Sequence, residues 1–208
     1  MNQKTNKLGL DISFMDEQDP YVVFQAWMEE AKKTEPNDPN ALALATADSS
    51  DQPDVRMVLL KGLTDNGFVF YTNLESKKGH DLKANAKASM CFHWKSLRRQ
   101  VRIQGSVTLV DHQTADEYYA SRPYESRIGA WASSQSEVMQ TRDEFEKKIE
   151  NFKKKYPDTN NVPRPSYWSG WLLSPYKIEF WMDVENRLHQ RLRYSKIGKA
   201  WHQEILYP

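Results

Sequence analysis

The chain has a single cysteine, Cys91, among 208 residues, which excludes an intramolecular disulfide and any Cys-based zinc site. Its five histidines, His80, His93, His112, His189 and His202, show no metal-ligand spacing, so no metal is expected. No apolar run approaches membrane-spanning length, and the opening MNQKTNKLGLDIS lacks the apolar core of a signal peptide. A cytoplasmic setting without a membrane partner is therefore the expectation. An excess of one charge is missing too: 29 Lys and Arg stand against 28 Asp and Glu, a formal net charge of +1. That balance excludes a general nucleic-acid binder, and any basic site must be local. There is no G-x-S-x-G, no Walker P-loop and no G-x-G-x-x-G after a strand, so a nucleotide cofactor would need a non-Rossmann device. Repeats, low-complexity tracts and dividing linkers are also absent. Residues 1–18 read as a flexible arm and 19–208 as one domain.

What is present is aromatic. A share of 12 %, with 7 Trp, favours a β-rich core. Asp19-Pro20 opens a helix through about residue 33, with Val23, Trp27 and Ala31 on one stripe. Strands are expected at 41–47, 55–60, 68–72, 88–94, 99–110, 168–173, 176–182, 187–194 and 201–206, with Asn66-Gly67 turning the second onto the third. Gly105 marks a bulge, and Cys91 and His93 read as ordinary strand residues, the former buried. Ser76 caps a short helix, Thr114 with Glu117 forms a capping box for another, and 142–156 is an amphipathic, core-facing helix. Residues 124–137 read as an irregular binding loop. The sum is an α+β, mainly β, barrel-type pattern.

Three clusters carry chemistry. Arg56, Lys61, Lys77 and Lys78 sit at strand ends and a helix N-terminus, where lysine is disfavoured unless an anion compensates; the alternative is a solvated basic edge. Arg187, His189, Arg191 and Arg193 share one face if they form a strand. They either meet a phosphate or pair with Asp183, Glu185 or Glu179. Tyr118, Arg122, Ser126 and Arg127, followed by Ser133 to Ser136, offer hydroxyls and guanidinium groups of the kind a phosphate monoester needs.

Ordered motifs then bring a resemblance into view: RMVLLK (56–61), FYTN (70–73), SKKGHDL, RQVRIQG (99–105), SRP (121–123), IGAWAS-Q-S (128–136), IEFW (178–181), RLHQR (187–191) and the tail WHQEILYP. Over residues 19 to 208 the chain resembles the pyridoxine/pyridoxamine 5′-phosphate oxidases. The resemblance implies an FMN-binding split β-barrel with flanking helices, a homodimer with FMN between subunits, and oxidation of pyridoxamine or pyridoxine 5′-phosphate by O2, giving H2O2. It assigns Arg56, Met57, Val58, Leu59, Leu60, Lys61, Tyr71, Thr72, Lys77, Lys78, Gln135 and Ser136 to FMN. Gln100, Trp181 and Arg191 would reach the flavin from the partner side. Lys61, Tyr118, Arg122 and Ser126 would hold the substrate phosphate, with Arg187, Leu188 and His189 at its ring and Arg187 and His189 as the catalytic pair. Two departures stand out. Residues 1–18 hold no arginine or tyrosine where the family's arm carries Arg-x-x-Tyr, and Lys77 stands where Arg is common. Another split-barrel flavin reductase, or a non-catalytic FMN or pyridoxal-phosphate carrier, are the alternatives.

Overall fold

Asp19 caps the first helix, α1 (Pro20–Thr34), its carboxylate accepting from the Tyr21 N–H with Pro20 in the first turn. The computed structural model of the chain describes residues 4–5 and 12–208. Nine strands and five α-helices are found among the described residues. After α1 come β1 (Ala41–Ala47), β2 (Pro53–Leu59), β3 (Gly62–Thr64) and β4 (Gly67–Asn73). Next are α2 (Lys77–Ala84), β5 (Lys87–Trp94), β6 (Arg99–Leu109), α3 (His112–Ala120), α4 (Tyr124–Ala132) and α5 (Arg142–Lys155). The chain ends with β7 (Trp168–Met182), β8 (Gln190–Ile197) and β9 (Ala200–Ile205).

The strands form one antiparallel sheet in the order β2-β1-β5-β6-β7-β4-β3, with β8 and β9 continuing from β7. β2 and β3 lie at opposite ends of that path, yet only Leu60 and Lys61 separate them in sequence. The sheet must therefore curl until its ends meet. The closure is visible in two successive amides: Leu60 N–H donates to Asn40 on the β1 side, and Lys61 N–H to Val69 on β4, each at 2.8 Å. This is the expected split barrel, with a different pairing at the start. β2 pairs with β1 along its whole length, whereas Asn66-Gly67 turns only the three residues of β3 onto β4.

α1 fills the barrel. Phe24 packs edge-on to Phe68 and Phe92 at 5.0 and 5.1 Å, and Trp27 meets Phe180 at 5.2 Å. Each pair contributes about 0.5–1.5 kcal/mol beyond its buried area. Strand parity holds on β6: Val101 and Ile103 are buried while Arg102 and Gln104 face out. The register shifts between Gln104 and Gly105, where an added Cβ would meet the Ser174 carbonyl oxygen at 2.4 Å. No helix of the described residues is long and apolar enough to cross a membrane.

Several expectations need correction. Residues 168–182 are one strand, because β7 passes the bulge opposite Gly105 without leaving the sheet. α3 starts at His112, since the Asp111 carboxylate takes both the N–H and the hydroxyl of Thr114 and leaves no capping role for Thr114. Residues 124–132 are helix α4 rather than loop. α5 buries none of its residues fully; Ile149 and Phe152 pack against a second cluster of Tyr119, Ile128, Val162 and Trp168. Cys91 is half-buried, with the outer side of β5 open beside it, and His93 is exposed. Of the expected arm, residues 1–3 and 6–11 lie outside the described residues, while Phe14, in a short 3-10 turn, is buried against Trp27 at 4.9 Å.

Candidate functional site

The first group surrounds the start of α2. Ser76 caps the helix, its hydroxyl accepting from Gly79 N–H, and Lys78 Nζ donates to Ser76 Oγ at 2.9 Å and to Gln135 Oε1 at 2.8 Å. Thr72 Oγ1 donates to the same Gln135 oxygen at 3.4 Å, and Ser136 follows with φ +76°. Lys78 is 7 % exposed, and no carboxylate of the described residues lies within ion-pair distance of it. Burial, and then the charge of Arg56, push its pKa down to about 8. Arg56 donates to the Leu44 carbonyl (3.0 Å) and Thr46 Oγ1 (2.8 Å) and pairs with Asp54 (2.7 Å) and Asp81 (3.7 Å). Lys77 is turned to Asp81 (2.7 Å) and Asp48 (3.6 Å). The two lysines thus differ: Lys77 is neutralised, and Lys78 is a buried cation lacking an anion. A phosphate among Lys78, Arg56, Thr72 and the first-turn amides of α2 would supply it.

The second group is an aromatic stack. Tyr71 lies on Tyr118 with ring centroids 3.8 Å apart, and Trp168 continues the near-parallel set at 5.4 Å from Tyr71. Arg122 places its guanidinium carbon 4.7 Å from the Trp168 ring, and its Nη1 is buried with no hydrogen-bond partner. Burial is the main cause holding Arg122 below the usual guanidinium pKa. Ser126 sits in the first turn of α4 directly after Pro123. Tyr71 therefore belongs with Tyr118 rather than with Lys78; only its neighbour Thr72 faces the first group. The stack depends on Gly170, where a Cβ would meet the Tyr71 ring at 2.7 Å. Gly170→Ala is expected to cost about 1–3 kcal/mol of stability, measured by denaturant unfolding, because β7 must shift or the ring must tilt.

The third group lies at the far end of β7. Gln100 pairs with Trp181, Trp181 with Arg191, and the Trp181 and His189 rings are 4.6 Å apart. His189 Nδ1 is 3.0 Å from Asp183 Oδ1, Arg191 holds Glu179 through Nε and Nη2 at 2.9 Å each, and Arg193 pairs with Glu204 at 2.9 Å. Internal pairing thus holds for His189 with Asp183 and Arg191 with Glu179, while Arg193 takes Glu204 and Arg187 has no ion pair among the described residues. The shared strand face holds only for Arg191 and Arg193. Arg187 closes a 3-10 turn with φ +61°, after Asn186 at +57°, and Leu188 and His189 precede β8.

Other expected residues stand apart. Lys61 is exposed and lines a cleft of about 490 Å³ with Phe24, Met28 and Leu63. Met57 is two-thirds exposed, Val58 and Leu59 are half-buried, Leu60 is buried and Leu188 is exposed. Trp168 and Asp81 were not singled out by the sequence. Asp81 had a signal, the i,i+4 spacing from Lys77; Trp168 had none beyond its residue type.

A family model described as pyridoxamine 5′-phosphate oxidase matches residues 28–156, which carry the first group and, Trp168 and Gly170 apart, the second. A second, the pyridoxine 5′-phosphate oxidase C-terminal dimerisation region, matches residues 168–208. The chain belongs to the pyridoxine/pyridoxamine 5′-phosphate oxidase family. Among relatives carrying that name, one from Pelagibacter ubique is 61 % identical over 209 residues, spanning all of both chains. Another from Rhodospirillum rubrum is 52 % identical, covering 95 % of this chain and all of its own. The chain is an oxidase of this family. Among solved structures, PhzG from Burkholderia lata 383, in complex with tetrahydrophenazine-1-carboxylic acid, superposes with TM-score 0.86 at 28 % identity, covering 92 % of this chain and 94 % of its own. A pyridoxamine 5′-phosphate oxidase-related, FMN-binding protein from Nostoc punctiforme PCC 73102 shares the fold, with TM-score 0.74 at 17 % identity over 92 % of this chain and all of its own.

Proposed function

We propose that this oxidase converts pyridoxamine 5′-phosphate and pyridoxine 5′-phosphate to pyridoxal 5′-phosphate in the cytoplasm, with FMN as cofactor, O2 as electron acceptor and H2O2 as product. The observation that carries the reading is the presence of two separate cation groups, around Lys78 and around Arg122, each short of an anion. A flavin acting on an unphosphorylated substrate would need only one. Lys78 and Arg56 hold the FMN phosphate, supported by Thr72, Gln135, Ser136 and the α2 amides, while Lys77 contributes through Asp81. Tyr118, Arg122 and Ser126 hold the substrate phosphate, with Lys61 added when substrate is bound. Bound FMN supplies the two-electron acceptor. The alcohol substrate gives the aldehyde directly, and the amine gives an imine that water hydrolyses with release of ammonia.

A homodimer is part of the proposal. Thr72 pairs with Ser169 near the start of β7, and Gln100 with Trp181 near its end. Twelve residues of strand, on the order of 40 Å of path, is more than one flavin mononucleotide covers. Gln100, Trp181 and Arg191 therefore serve the flavin of the partner, with Arg187 and His189 beside its substrate. These residues orient the pyridine ring; alignment of this kind accounts for up to about 7–11 kcal/mol of barrier in the best cases.

The test is direct. The purified protein should carry a visible flavin spectrum and, with pyridoxamine 5′-phosphate in air, form pyridoxal 5′-phosphate and H2O2 in equal amounts. Flavin without product would leave the reductase or the carrier. A second expectation follows from Lys78: FMN binding at about pH 8–9 takes up a proton, because the phosphate raises the depressed pKa. Calorimetry in buffers of different ionisation enthalpy reads this uptake, and an identical heat in all of them would contradict it.

A further inference from the structure

We infer that Arg127, on α4, adds a further positive charge behind the phosphate clamp built by Arg122, Tyr118, Ser126 and Lys61, acting on that clamp as a positioning residue. The inference rests on the proposed reading of Arg122 as a substrate-phosphate group. Arg127 is 6 % exposed, donates through Nη2 to the Thr159 carbonyl at 2.6 Å, and has a buried Nε with no partner. No ion pair is found for it among the described residues. Glu125, two positions back, pairs with Lys153 of α5 at 3.2 Å instead.

An isolated buried charge is costly, and a buried arginine with only a carbonyl partner is poorly compensated. Arg122, half-buried and with its own orphaned Nη1, lies five residues earlier in the turn between α3 and α4, and the two cations repel each other. The Tyr119 hydroxyl donates to the Arg127 carbonyl at 2.8 Å, fixing the turn that joins them. The first turn of α4, with Ser126, adds the positive end of a helix dipole. Holding Thr159 needs only a hydrogen-bond donor; a glutamine amide provides one. The full charge finds its use beside a doubly charged group such as a phosphate monoester, which offsets both arginines at once. Because the Arg127 fork is turned to the Thr159 loop, it acts through the field at the clamp and through the placement of Arg122.

The experiment uses the FMN-loaded enzyme, so that the cofactor's phosphate site is filled. Arg127→Gln should raise KM for pyridoxamine 5′-phosphate about tenfold and weaken inorganic phosphate, titrated by calorimetry, to a similar degree. The loss should fall on KM rather than kcat, spare turnover of unphosphorylated pyridoxamine, and be mostly restored by Arg127→Lys. An unchanged KM, or equal losses on both substrates with R127K failing alongside R127Q, would overturn the inference and leave a packing role. If wild type makes no pyridoxal 5′-phosphate, the proposed function fails by itself; the phosphate titration still decides Arg127, and equal affinity in wild type and R127Q overturns it.

Discussion

Lys78→Met is expected to lower FMN affinity about a hundredfold or more, read by flavin fluorescence on titrating the apoprotein. Removing one partner of a buried, hydrogen-bonded charge pair costs about 2–5 kcal/mol, and a hundredfold is about 2.7. The same substitution should act oppositely on the apoprotein. Lys78 is buried beside Arg56 and its pKa falls from the ordinary 10.5 to about 8. Between those values the unfolded chain binds a proton that the folded chain gives up, so stability rises with pH across the window and is lowest below about 8. Methionine removes the penalty. Lys78→Met apoprotein should therefore melt higher than wild type at pH 7, with the gap closing toward pH 10.5. Unchanged FMN affinity, or a variant less stable at pH 7 and more stable at pH 10, would mean that Lys78 is not an anion-binding cation.

Arg187→Ala is expected to lower kcat/KM for pyridoxamine 5′-phosphate by about 10²–10³ while leaving FMN bound, a loss of the size seen for a donor aimed at the reacting group. The residue is exposed, and no hydrogen bond or ion pair is found for it among the described residues. Yet it and Asn186 both adopt positive φ, a conformation that costs non-glycine residues about 1–3 kcal/mol each and persists where the surroundings enforce it. Asp183 helps to enforce it, pairing with Arg98 before the turn and with His189 after it. An arginine held out on a strained turn is available to a ligand. Steady-state kinetics with flavin content measured in parallel checks this, and loss of FMN in the variant would place Arg187 with the cofactor instead.

Local signals were legible in the sequence. The caps at Asp19 and Ser76, the parity of β6 and the bulge at Gly105 depend on neighbours within a few residues, and all four were readable as such. Partners chosen across the sheet were not. Nothing in residues 53–59 states that β2 joins β1, because that follows from the two-residue crossing at Leu60 and Lys61 and the closure it imposes. α4 was hidden because Ser126, Gly129 and the preceding Pro123 read as loop, whereas its stability comes from packing Ile128 and Trp131 against the second cluster. The cation clusters were visible as residue types, but their division was not. Arg191 meets Glu179 through the β7–β8 pairing and Lys77 meets Asp81 one helical turn on, while Lys78 and Arg122 are, with Arg127 and Arg187, among the cations that have no ion pair in the described residues.

In the proposed dimer each active site is built from two chains, with the Lys78 group from one and the Arg187 group from the other. Mixing inactive Lys78→Met with inactive Arg187→Ala, followed by subunit exchange, distinguishes this arrangement from a site within one chain. A heterodimer then holds one doubly altered site and one intact site. With random pairing, turnover should recover to about a quarter of the wild-type value. No recovery, with exchange verified by mass spectrometry, would put both groups in the same chain's site and contradict the account.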